Sequence, residues 1–299
     1  MTVTLAPADA APATPLARSL ALSAGLSLAE RLGSGPDGRI LVRDIAGVVG
    51  LVPPRPDAPA RPSPAPQIGS GAYDLVPLGG MRETIARRMG DSFRDVPHFP
   101  LSLDVEIDAQ LALRERLNAT LSADGVEASL DALVIKAAAA TLQRVPEANA
   151  SFSPDGLIVH RDINIAFAVA IDGGLITPII RKANEKGVGE IAAETRDLAQ
   201  RARARDLTTG DLQGGSLTVS NPGMFGVKSF ASIINEAQGA ILSVGAADRR
   251  PVVRGDALSI ATVLTATLTC DHRAMDGAVA AQWIGEFKSL MEEPLGMLL

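Results

Sequence analysis

Seven prolines fall within fourteen residues, at positions 53, 54, 56, 59, 62, 64 and 66. Each fixes φ and removes a backbone donor, so neither a helix nor a central strand can run through the stretch. Mixed with alanine, residues 50–72 read as an extended, semi-rigid linker that advances roughly 3 Å per residue. The chain is thereby divided. A short helical pattern, residues 14–49, precedes the linker, and a long αβ-patterned region, residues 73–299, follows it.

The short unit has its own punctuation. Residues 1–13 are rich in alanine and proline without periodicity and read as a disordered tail. Thr14 before Pro15 is a helix start, Leu16, Leu20 and Leu22 give an apolar face, and Gly25 is a stop. Gly33-Ser34-Gly35-Pro36-Asp37-Gly38 reads as a tight structured loop, and Asp44–Val49 as a closing helix. A core alone seldom stabilises so small a unit, which suits a docking module.

Composition narrows the function classes. The chain is 46% hydrophobic and only 3% aromatic, so the long region can bury a large aliphatic core. A net charge of -6 argues against a nucleic-acid footprint over the whole chain. One cysteine precludes an internal disulfide and fits a reducing compartment. No apolar run reaches membrane-spanning length, and the N-terminus resembles neither a secretory signal nor a transit peptide. Three scattered histidines and one cysteine do not make a metal site.

Within the long region the pattern gives helices over 81–93, 109–121, 130–145, 188–205 and 278–290. Strands are expected over 101–108, 157–160, 164–171, 175–181, 216–220, 241–245 and 258–269, with Pro97 to Pro100 as a break after the first helix. The helix over 130–145 is apolar nearly all round and is expected to be buried. His272 ends the last strand between Asp271 and Arg273, with Asp276 four residues on. By itself it also fits a hydrogen-bonded structural residue. Ser220 ends another strand at a tight turn, as a turn cap or as a presented hydroxyl. His98, between prolines, reads as a turn residue, and His160 as a solvated strand end.

Several motifs together resemble one family. Asp271-His272-Arg273-Ala274-Met275-Asp276-Gly277 is similar to DHRxxDG, and Gly214-Gly215-Ser216-Leu217-Thr218-Val219-Ser220-Asn221-Pro222-Gly223 to GGTFTxSNxG. Gly174-Leu175-Ile176-Thr177-Pro178-Ile179-Ile180 fits the GLxTPV/I strand. These are marks of the acyltransferase (E2) components of 2-oxo acid dehydrogenase complexes, and the resemblance runs almost continuously from Leu75 to Leu299. Residues 14–49 resemble that family's peripheral subunit-binding domain through Pro15-Leu16-Ala17-Arg18 and Gly33 to Ile40.

The resemblance implies an α/β, chloramphenicol-acetyltransferase-like catalytic domain, a mixed sheet plus helices. It implies homotrimers with active sites at subunit boundaries, and possible assembly into 24-mer or 60-mer shells. The implied activity is acyl transfer between dihydrolipoyl sulfur and coenzyme A. His272 is the implied general base, Ser220 the oxyanion donor, and Asp276 a residue that holds local geometry through an arginine, with Arg82 as the candidate. Gly223 to Phe230 looks most like the acetyl-transferring, pyruvate-type members. Arg18 and Arg39 match positions that contact E1 or E3.

One departure matters. The family's lipoyl domains carry a lysine in a D-K-A-like turn, whereas the five lysines here begin at Lys136 and none follows an aspartate. The expectation is a lipoyl group supplied in trans by another subunit, acetyl-CoA as co-substrate, no metal, and a bacterial cytoplasmic location rather than the mitochondrial matrix. A competing reading is an E2-like adaptor of little or no activity that recruits E1 or E3. Another is acetylation of a small acceptor, which the docking module and linker disfavour.

Overall fold

A computed structural model describes residues 12–29, 31–46, 71–121, 125–235 and 237–298. Residues 1–11 of the tail expected over 1–13, most of the expected linker and the end of the helix expected over 44–49 lie outside the described residues; the last two tail residues are ordered, with Ala13 bridged to Ile40 and Pro12 O accepting the Ile40 N–H. The chain divides into two compact units, Met1–Leu75 and Val76–Leu299.

In the first unit, α1 spans Pro15–Ser23 with Thr14 as N-cap, its Oγ1 accepting the Ala17 N–H, and Pro15 in the first turn. Gly25 follows the helix with φ 65°. Helix α2 is the single turn Val42–Ile45. Ala17, Ala21, Leu28, Ile40 and Ile45 form a small core. The glycine loop between the helices is built on close contact: a Cβ on Gly33 would sit 2.3 Å from the Arg39 carbonyl carbon.

Asp44 ties that loop down. Its carboxylate accepts the Ser34 N–H (2.9 Å), the Ser34 hydroxyl (2.6 Å) and the Leu41 N–H (2.9 Å). The bond from the Ser34 hydroxyl leads the causes that hold its carboxyl down at about 2. An unfolded aspartate titrates near about 4. Because the folded value is the lower one, the contribution is complete above about pH 4 and is lost as pH falls towards 2. Hydrogen exchange on the whole chain should show protection of the Ser34 and Leu41 amides collapsing in that interval. Protection unchanged down to pH 2 would refute the role given to Asp44.

The second unit is built on a seven-stranded mixed sheet. Strands β1 (His98–Glu106), β4 (Ile165–Phe167), β7 (Ile179–Ile180), β8 (Leu217–Ser220), β9 (Ala240–Val244) and β11 (Ala257–Asp271) run in the order β1-β11-β9-β8-β4-β7. Strand β10 (Asp248–Arg254) forms a hairpin with β11. Strands β2 (Ala150–Ser153) and β3 (Gly156–Val159) make one separate hairpin, and β5 (Val169–Ile171) and β6 (Gly174–Ile176) another. The pairs β8–β9 and β4–β8 are parallel; the other pairs are antiparallel.

The helices are α3 (Gly80–Asp95), α4 (Asp108–Leu121), α5 (Leu130–Arg144), α6 (Val188–Ala204) and α7 (Gly277–Glu292). Helix α5 is buried over ten residues, as its all-round apolar pattern requires, and packs on α6, α7 and β4. Helix α7 packs on β1 and α5, and its Trp283 and Phe287 are buried and stacked with ring centres 5.6 Å apart.

Proline decides two strand boundaries differently from expectation. Strand β1 begins at His98 and includes Pro100, because β1 is the sheet's edge and a missing donor is tolerated there. Pro178 divides the strand expected over 175–181 into β6 and β7, which join different sheets. The strand expected over 164–171 also divides, into β4 and β5.

Candidate active site

His272 lies one residue beyond β11, in a turn whose flanks are fixed. Its N–H donates to Pro97 O at 3.1 Å, and Asp271 O accepts the N–H groups of Ala274 and Met275. Asp271 is buried and chelated by Arg273, with Nε to Oδ1 at 2.9 Å and Nη2 to Oδ2 at 2.8 Å. The Arg273 guanidinium also sits 4.1 Å from the centre of the Phe152 ring, so it closes one flank of the turn. Met275 anchors the other flank in the core. The imidazole itself is exposed and packs on Phe99, with ring centres 4.9 Å apart. A rigid backbone thus presents a free ring.

Asp276 has a local task. Its Oδ1 accepts the N–H groups of Ala278 and Val279, both at 2.9 Å, which makes it the N-cap of α7. The resemblance implies an arginine partner for it, with Arg82 as the candidate. Within the chain Arg82 instead donates to Gly173 O at 3.4 Å. The cap starts α7 immediately after the histidine turn, so it fixes where that turn ends.

Ser220 is the last residue of β8 and half-buried. The sheet register separates it from His272. Leu217 pairs with Ala240 and Ala240 with Cys270, whereas Ser220 pairs with Ser243 and Ser243 with Thr267. Strand β11 runs against β8 and β9, so it leaves the sheet at the end where β8 begins. His272 lies five residues beyond Thr267. At about 3.3 Å per residue and about 4.8 Å between strands, the two backbone positions are on the order of 19 Å apart. Their side chains cannot meet within one chain. Among the described residues neither the His272 ring nitrogens nor the Ser220 hydroxyl has a hydrogen-bond partner.

Other nearby groups have structural roles. His98 heads β1; its Nε2 accepts the Ile234 N–H at 3.0 Å, so Nδ1 carries the proton and donates to Val96 O at 2.8 Å. His160 is half-buried, 2.7 Å from the Ser151 hydroxyl, and burial lowers its pKa. Burial, with the Asp271 charge second, pushes the Cys270 thiol up to about 12, so it is not a nucleophile beside the histidine. A cleft of about 400 Å³ adjoins the histidine turn, lined by Arg87, Arg88, Asp91, Phe152, Asp271 and Arg273. Among the described residues no group of three or more His, Cys, Asp or Glu side chains converges as metal ligands would. In the first unit, Arg18 and Arg39 are both exposed.

Residues 70–299 match the catalytic domain of the 2-oxoacid dehydrogenases acyltransferase family, and residues 11–46 match the E3 binding domain. The chain is 42% identical over 304 residues to the dihydrolipoyllysine-residue acetyltransferase component of the pyruvate dehydrogenase complex of Rhizobium meliloti, covering 96% of this chain and 68% of that one. Its mitochondrial counterpart in Caenorhabditis elegans is 40% identical, with 96% and 56% covered. The fold matches the dihydrolipoamide acetyltransferase of Azotobacter vinelandii at a TM-score of 0.75 and 32% identity, over 83% of this chain and all of that one. A serine, a histidine 52 positions on and an asparagine four further were investigated there for their role in the catalytic mechanism. Ser220, His272 and Asp276 have the same spacing. The structure of the cubic core of a pyruvate dehydrogenase multienzyme complex gives the same TM-score at 31% identity.

Proposed function

The chain belongs to the 2-oxoacid dehydrogenase acyltransferase family, and from that premise we propose that it moves an acetyl group between dihydrolipoyl sulfur and coenzyme A. It does so as the core of a pyruvate dehydrogenase-type complex, with residues 11–46 recruiting E1 or E3 and Arg18 and Arg39 facing that partner. The observation that carries the reading is the shared serine–histidine–carboxamide or carboxylate spacing, on two residues that one chain holds at opposite ends of its sheet.

The site is therefore completed by a second copy. His272 of one subunit takes the proton of the attacking thiol, whose unperturbed pKa of about 8.5 leaves it mostly protonated at neutral pH. The thiolate adds to the thioester carbonyl. Ser220 of the neighbouring subunit donates its hydroxyl to the oxyanion of the tetrahedral intermediate. The intermediate expels the second sulfur, which recovers the proton from the imidazolium. Asp276 acts through the α7 cap, keeping the histidine turn in register, and is not itself a base.

None of the five lysines lies in a D-K-A-like turn, so the lipoyl group reaches the site from outside these 299 residues. Trimers further assembled into a cubic or larger shell, in a bacterial cytoplasm, complete the proposal, in keeping with the bacterial relatives and the cubic core. No described helix is long and apolar enough to cross a membrane.

Acetyl transfer from acetyl-CoA to free dihydrolipoamide tests the assignment. The wild-type protein should turn over, and Ser220→Ala should be slower by about 10²–10³ in kcat. A wild-type protein that fails to turn over, or a Ser220→Ala variant at the wild-type rate, contradicts the reading.

A further inference from the structure

Asn221 directly follows Ser220, and its side chain is held at both ends. Its Nδ2 donates to Asp131 Oδ1 at 2.5 Å, and its Oδ1 accepts the Gly223 N–H at 2.9 Å. Gly223 is itself wedged in place. A Cβ there would lie 2.9 Å from Gly245 O and 3.0 Å from Ala246 N, just past the end of β9. The turn after Ser220 is thus pressed against one element and tethered to another, the start of α5.

Asp131 has little else to do. It sits in the first turn of α5, which Ser129 already caps through the Ala132 N–H at 3.1 Å. Among the described residues no cation pairs with it. Burial raises its carboxyl pKa, and the bond from Asn221 is the one opposing influence. Holding a carboxylate there costs the fold free energy that the helix N-terminus offsets only in part. A half-buried carboxylate whose one side-chain hydrogen bond among the described residues comes from the turn after Ser220 has its use in that turn.

We infer that Asp131 is a positioning residue for acetyl transfer: through Asn221 it fixes the turn that aims the Ser220 hydroxyl at the oxyanion. The inference rests on the role proposed for Ser220. An oxyanion donor works only when it is preset, since a displacement of about 1 Å can cost ~10² in rate. The link spans 90 positions of sequence, from a helix start to a strand end.

The test uses the whole chain with acetyl-CoA and dihydrolipoamide. Asp131→Ala should lower kcat by about 10–50-fold and leave KM for acetyl-CoA within about twofold, as expected for an interaction felt only in the transition state. Asp131→Asn keeps an acceptor for Asn221 and should stay within about threefold of wild type. The double variant Asp131→Ala/Ser220→Ala should be no slower than Ser220→Ala alone, because the group being aimed is gone. Multiplying losses in the double variant, or a wild-type kcat in Asp131→Ala, would overturn the inference. Asn221→Ala cuts the same link from the turn and serves if Asp131→Ala does not fold, with the same loss and the same non-additivity expected. A wild-type rate in Ser220→Ala removes the reading beneath the inference. A slow Ser220→Ala beside an unaffected Asp131→Ala removes the inference alone.

Discussion

Replacing His272 by alanine is expected to slow acetyl transfer by about 10³–10⁴-fold, the upper part of the range that a positioned general base supplies. In the proposed mechanism two proton transfers depend on the imidazole. The attacking thiol must lose its proton, and the departing thiolate must gain one. The substitution should leave the fold nearly unchanged. His272 holds its place through a backbone N–H to Pro97 O, which alanine retains, and its ring is exposed. The stability change should remain within about 1 kcal/mol, as for surface positions away from caps and cores. The residual rate of the variant should climb with pH towards about 8.5, because solvent then supplies the thiolate that the histidine no longer generates. Steady-state thiol release from acetyl-CoA, followed between pH 6.5 and 9, reads both effects. A residual rate above a tenth of wild type, or one flat in pH, would contradict the assignment of the base.

Much of this site is legible in the residues themselves, but its assembly at a subunit boundary is legible only through the family resemblance. The histidine turn shows because a β-branched run ends at Asp271 and a helical run begins at Ala278, with charged residues where packing alone would place none. Ser220 shows as a hydroxyl where a strand meets Asn221-Pro222-Gly223. Their separation within one chain shows in no local pattern and is expected only from the resemblance. It follows from β9 running parallel to β8 while β11 runs against both, and that pairing has no one-dimensional signature. Asp131 is hidden for a similar reason: an acid in the first turn of a helix needs no explanation until Asn221 is found against it. For Asp276 a signal was available. An aspartate just ahead of a helical run is an N-cap pattern, and it predicts the role in α7 better than a distant arginine does.

The strands that escape the sequence are those whose chemistry misleads. Strand β10 opens with Asp248-Arg249-Arg250-Pro251 and has no apolar alternation, yet it is a strand because it pairs with β11 along its whole length. The expected strand over 164–171 is continuous in pattern, but Ala168 donates to Val219 O at the point where the chain leaves the main sheet for the β5–β6 hairpin. Local pattern identifies extended chain in both cases. Only tertiary pairing determines which sheet receives it.

The proposed division of the site between two copies leads to the second large effect. A His272→Ala subunit keeps Ser220, and a Ser220→Ala subunit keeps His272. Neither variant alone can form a complete boundary site. In mixed trimers, a boundary that brings His272 from one variant against Ser220 from the other is wild type. Random mixing at equal amounts gives that combination at about a quarter of the boundaries of a cyclic trimer. Acetyl transfer should therefore rise from the ~10⁻² or less of either variant to about a quarter of wild type, a gain of at least about 25-fold, with no new contact introduced. The required measurement is dihydrolipoamide acetylation by co-refolded variants whose mixed trimers are verified by native mass spectrometry. Recovery towards a quarter of the wild-type rate is the predicted result; activity that stays at the average of the two variants, with mixed trimers present, would contradict a site shared between subunits.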